Sequence, residues 1–82
     1  MTRNDIFKKL NTIFRNNFDD DDIMLTDVTS SKDIEDWDSL EQINLVVAIQ
    51  DEFKIKFNID EVNAMKNVGE MVNFILEKIE VQ

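Results

Sequence analysis

The sequence contains no cysteine and no histidine. Without cysteine there is no disulfide to brace a small fold, no thiolate nucleophile and no cysteine-ligated metal. Without histidine the chain lacks the side chain that most often acts as a general base near neutral pH, and every Ser-His or Cys-His pair is excluded. An enzyme made of this chain alone is therefore not expected. Proline is absent too, and glycine occurs once. A sheet needs such residues at its reversals, so their scarcity argues for an all-helical chain. Positive charge is also short: 9 lysines and arginines face 18 aspartates and glutamates, a formal net charge of −9. Such a surface repels nucleic-acid phosphates and anionic membranes and favours basic protein partners. No apolar run approaches membrane-spanning length, and Met1-Thr-Arg-Asn-Asp-Ile-Phe-Lys-Lys places charges where a signal peptide is apolar. A cytoplasmic address is expected, with no nucleic-acid ligand and no membrane insertion.

What the chain does have is hydrophobic residues at helical spacing. They make up 43% of 82 residues, too many for a disordered acidic tail and enough for one small domain over residues 1–82. Ile6, Phe7, Leu10, Ile13 and Phe14 share a stripe that predicts a helix over about residues 2–17, with Thr2 and Asp5 spaced as a capping pair. Asp38 with Glu41 repeats that spacing and opens a second helix reaching residue 53 or 54. Asn67 with Glu70 opens a last one, in which Val68, Met71, Val72, Ile75, Leu76 and Ile79 follow a three-four repeat. Residues 58–64 have room for one or two helical turns. Residues 18–37 form a long connection, for which Ile23, Met24, Leu25, Val28, Ile34 and Trp37 are available to pack against the helices.

The second helix has more apolar surface than one core face requires. At roughly 100° per residue, Leu45, Ile49 and Phe53 fall on one side with Val46 at its edge, while Leu40, Ile43 and Val47 fall on the opposite side with Asn44 and Asp51. Two accounts of that second stripe are open: it packs under the long loop, or it is exposed as a docking face rimmed by Asp36, Asp38, Glu41, Asn44 and Asp51. Ser39 stands at the start of the same helix.

The run Asp36-Trp37-Asp38-Ser39-Leu40-Glu41 resembles the acyl and peptidyl carrier proteins, whose signature is Asp-Ser-Leu opening the second of four helices. The likeness covers nearly the whole chain: a long preceding loop, a lead-in from Ile34, Asp51-Glu-Phe53, a short helix near residues 60–64, and Asn67-Val-Gly-Glu70 before the last helix. It implies a four-helix bundle with a long loop between the first and second helices and a short third helix. It also implies that Ser39 carries a 4′-phosphopantetheine arm, placed there from coenzyme A by a phosphopantetheinyl transferase, on which acyl groups ride as thioesters. Asp38, Leu40, Glu41, Ile43, Asn44, Val47 and Asp51 would then be the docking residues, facing acyl-loading and acyl-transferring enzymes with basic patches, and the carrier would act as a monomer. An ordinary role as a first-turn serine is the bland alternative for Ser39, and helix capping that for Asp38. Trp37 is expected to pack the loop against the bundle. Long or greasy cargo is expected to insert near Met65 and Met71.

The chain departs from the pattern at two places. Many fatty-acid carriers have glycine and a small residue where this chain has Asp36-Trp37, and acids where it has Asn44 and Gln50. The Trp-Asp-Ser-Leu form resembles stand-alone carriers of specialised pathways, such as polyketide or nonribosomal peptide assembly or D-alanylation. An acidic helical interaction module without a prosthetic group is the competing function. A calcium loop at Asp19 to Asp22 fails on spacing: twelve residues from Asp19 end on Ser30 with Met24 sixth, and a loop from Asp27 to Asp38 has Lys32 sixth.

Overall fold

The computed structural model of the protein describes residues 1–80 and contains four helices: α1 (Arg3–Phe18), α2 (Ser39–Phe53), α3 (Ile59–Ala64) and α4 (Val68–Glu80). No strand occurs among the described residues, and none of the described helices is long and apolar enough to cross a membrane. The stripes expected from spacing are the ones that meet. Ile6, Leu10 and Phe14 of α1 pack against Leu45, Ile49 and Phe53 of α2 and Val68, Met71, Val72 and Ile75 of α4 in one core. Nine of its side chains are sealed from solvent entirely, which is what a chain of this size needs in the absence of a disulfide.

Local chemistry sets the helix ends. The hydroxyl of Thr2 accepts from the Asp5 N–H while the Asp5 carboxylate accepts from the Thr2 N–H, a reciprocal cap. With glycine so rare, α1 and α2 stop on residues that themselves turn left-handed, Asp19 at φ 50° and Lys54 at φ 58°. In each case the next N–H reaches back to the carbonyl five residues earlier, Asp20 to Arg15 at 3.0 Å and Ile55 to Gln50 at 3.2 Å. Ile55 then tucks into the core beyond the α2 terminus.

The 19–38 connection is ordered by its own side chains, but not by all those the sequence made available. Ile23, Leu25 and Trp37 are buried and Ile34 is partly so, whereas Met24 and Val28 stand in solvent. Asn11 of α1 accepts the Leu25 N–H at 2.9 Å, and Arg15 donates to the Ile23 carbonyl at 2.8 Å. These two bonds pin alternate residues inward and leave Met24 between them facing out. In the middle of the loop, the Thr29 and Asp27 carbonyls accept the N–H groups of Val68 and Gly69 at 2.8 and 2.9 Å. The loop thereby satisfies amides that the first turn of α4 would otherwise leave unpaired.

Helix α3 is held differently. It has no buried residue, and it is fixed by a reciprocal Asn58/Glu61 cap and by the Lys78 ammonium of α4, 2.9 Å from the Glu61 carboxylate. The Asn58 N–H, then Lys78, hold the Glu61 carboxyl below its ordinary range.

Candidate functional site

Ser39 is the first residue of α2, and Asp38 is its cap. The Asp38 carboxylate accepts from the Glu41 N–H at 2.9 Å, as the spacing predicts. The reciprocal half of the expected capping box is absent. Glu41 turns its carboxylate away, to the side-chain amides of Asn17 at 3.2 Å and Asn44 at 3.0 Å, and so ties the beginning of α2 to the end of α1. Glu41 is half-buried by this arrangement, whereas Asp38, Asn44 and Asp51 are exposed. At Asn67 the pattern also varies: Asn67 caps the Glu70 N–H at 2.9 Å, but Glu70 reaches the N–H of Lys66.

The residue before the cap is the anchor. Trp37 is buried, its ring meets Phe14 edge-on with centroids 5.1 Å apart, and its indole N–H donates to the Gln42 Oε1 at 2.8 Å. An aromatic pair of this geometry contributes about 0.5–1.5 kcal/mol beyond its buried area. The loop thus arrives at α2 fixed on the core, and Ser39 is presented outward on a rigid start. Ser39 is exposed, and its hydroxyl makes no hydrogen bond within the chain among the described residues.

Of the two accounts of the second α2 stripe, the structure favours exposure. Leu40, Ile43 and Val47 are 67%, 57% and 58% exposed, while Leu45, Val46, Ile49 and Phe53 on the other side are buried. The long loop does not cover them. Ile59, 70% exposed at the start of α3, adds to this apolar surface. Spacing along α2 did not reveal it, because Ile59 belongs to a helix too short to show a stripe.

Between α2 and α3 runs a groove of about 440 Å³ with Ser39 on its edge. Ser31, Trp37, Asp38, Gln42 and Ile43 line it on the α2 side, and Ile59, Val62, Asn63, Met65 and Lys66 on the other. Of the two methionines expected near cargo, Met65 lines this groove and Met71 is sealed in the core. Gln42 and Lys66 were not singled out by sequence, since they come from different elements and only the fold brings them to one groove.

The two polar positions that replace acids have internal partners. Asn44 donates to Glu41, and the Gln50 Oε1 accepts the Phe57 N–H at 2.9 Å, holding the chain as it leaves α2. An aspartate or glutamate could accept as Gln50 does, but it could not donate as Asn44 does.

Residues 21–75 match the family described as the phosphopantetheine attachment site. Acyl carrier proteins of Petrotoga mobilis and Caulobacter vibrioides are similar throughout, the first 31% identical over 99% of this chain and 95% of its own length, the second 34% identical over 90% and 95%. Among solved structures, a holo acyl carrier protein from Geobacter metallireducens superposes with a TM-score of 0.86 at 43% identity, covering 92% of this chain and 86% of that one.

Proposed function

The chain belongs to the acyl carrier protein family, and from that premise we propose that it carries acyl or aminoacyl groups as thioesters on a 4′-phosphopantetheine arm attached at Ser39. The observation that carries the assignment of Ser39 is its setting: an exposed hydroxyl without an internal partner, at the rigid start of α2, between an exposed apolar stripe and a groove. The residues fit such an arm, because no described residue competes for the hydroxyl and the groove leaves space beside it. The arm supplies what the sequence lacks, a thiol that can hold an acyl group and reach a docked enzyme's active site.

Ser39 needs no base of its own. A phosphopantetheinyl transferase would activate the hydroxyl and join its oxygen to the pantetheine-bearing phosphorus of coenzyme A; the pyrophosphate P–O bond breaks, adenosine 3′,5′-bisphosphate leaves with the bridging oxygen, and the serine proton passes to solvent. Asp38, Leu40, Glu41, Ile43, Asn44, Val47 and Asp51 would form the surface that this enzyme and the acyl-loading and acyl-transferring enzymes grip through basic patches with an apolar centre. Internal use of Asn44 and Gln50, in positions where many fatty-acid carriers have acids, supports dedicated partners in a specialised pathway over general fatty-acid synthesis.

The test is direct. Incubated with coenzyme A, magnesium and a transferase active on a control carrier, the protein should gain the mass of one phosphopantetheine, and Ser39→Ala should gain none. A folded protein that gains nothing would instead be an acidic interaction module.

A further inference from the structure

We infer that Gln42, oriented by Trp37, and Lys66 together receive the phosphodiester of the arm, so that the arm leaves Ser39 along the α2/α3 groove and not freely into solvent; this rests on attachment at Ser39. Gln42 lies three residues beyond Ser39 on α2, so the two share a face. Its amide orientation is decided by chemistry. The indole N–H of Trp37 can only donate, so the Gln42 oxygen must face it, at 2.8 Å, and the nitrogen must point away. Gln42 lines the groove, and its side-chain nitrogen has no hydrogen-bond partner among the described residues. A buried tryptophan therefore fixes a donor near the proposed attachment point.

Lys66 lines the groove on the opposite side, between α3 and α4. Its backbone N–H is bound by Glu70, but no carboxylate lies within ion-pair distance of its ammonium among the described residues. The placement answers an electrostatic problem. A phosphodiester adds a negative charge beside Asp38 on a chain that already has a net charge of −9. One cation and one fixed amide donor offset that repulsion through charge-assisted hydrogen bonds, on the side of the serine where the groove runs. Gln42 and Lys66 are positioning residues in this scheme, with no part in bond making.

The experiment starts from protein converted to the holo form, with conversion read as mass. No mass gain in the parent protein would remove the attachment at Ser39 and this inference with it. Given full conversion, the side-chain amide signals of Gln42 and the indole N–H of Trp37 should shift in nitrogen-15 spectra, while the Asn16 side chain on α1 stays put. Gln42→Glu keeps an acceptor for Trp37 and replaces the donor by a negative charge, so the phosphorus-31 relaxation of its holo form should report a more mobile phosphate. Lys66→Gln should move relaxation the same way and flatten its salt dependence, and it serves alone should Gln42→Glu resist conversion. Holo protein with Gln42 and Trp37 signals unchanged from the apo form, or a phosphate whose relaxation ignores the variants that convert, would overturn the inference.

Discussion

Gly69 and Asp27 are in backbone contact: the Gly69 N–H donates to the Asp27 carbonyl at 2.9 Å, and a Cβ built on Gly69 would lie 2.7 Å from that same oxygen. The chain's single glycine is thus placed where the long loop crosses the first turn of α4. Arg3 reinforces the crossing by bonding both Asp27 and Asn73. Gly69→Ala gains helix propensity but forces loop and helix apart, because the obstructing atom is backbone. Overpacking of this kind costs about 1–3 kcal/mol, and a net loss of stability is expected in urea unfolding. A variant as stable as the parent would show that the loop yields without cost.

The exposed face of α2, proposed as the docking surface, can be altered without disturbing the core. Ile43→Glu and Val47→Glu replace side chains that are more than half exposed, so each should change stability by no more than about 0.5 kcal/mol. Leu45→Ala, one residue from the stripe's neighbours but sealed in the core, should cost about 2–5 kcal/mol. Both glutamate variants should be modified more slowly by the transferase at equal protein concentration. Parent-like modification rates in both would place the docking surface elsewhere.

The elements that bury a continuous stripe were legible before any coordinates. In α1, α2 and α4 the three-four spacing named the core residues, and it picked out the surplus stripe on α2, whose exposure only the fold decided. The 19–38 connection was not readable in the same way. Burial there depends on Asn11 and Arg15 reaching from α1 to particular backbone groups, and no periodicity distinguishes Ile23 and Leu25 from Met24 and Val28. Asn58 and Glu61 do carry the spacing of a capping box, a signal in the sequence that marks the start of α3. The groove beside Ser39 required the fold itself, since α3 is held by a pair of residues 17 apart, Glu61 and Lys78.

That pair has a pH signature. The Asn58 N–H, and secondly Lys78, lower the Glu61 carboxyl from its ordinary value of 4.5. With the folded value below the unfolded one, the stabilisation is fully present above about pH 4.5 and is lost as pH falls through the folded value. Asp5, lowered by the Thr2 N–H from 3.8, contributes in the same direction at still lower pH. Protonating the other acids relieves general repulsion, so the informative quantity is the difference between the parent and Glu61→Gln. That difference should be constant near neutrality and shrink below pH 4.5 in urea unfolding. A difference independent of pH down to 3 would show that Glu61 does not act through its charge.

Cargo placement divides the two methionines that the sequence grouped together. Met65 is half-buried on the wall of the groove, whereas Met71 sits in the core among side chains with no solvent exposure. For an acyl chain leaving Ser39 along the groove, contact with Ile59, Val62 and Met65 precedes any entry to the core. Reaching Met71 would require packed side chains to separate, and each buried methylene displaced from its contacts costs about 0.8 kcal/mol. Loading a short acyl group should therefore shift the methyl resonance of Met65 and leave that of Met71 unchanged. A longer saturated chain has more apolar area with which to offset that separation, and only such cargo should move both signals. If a short acyl group shifts Met71 as strongly as Met65, the core is already open to cargo, and the groove is not where the acyl chain stops.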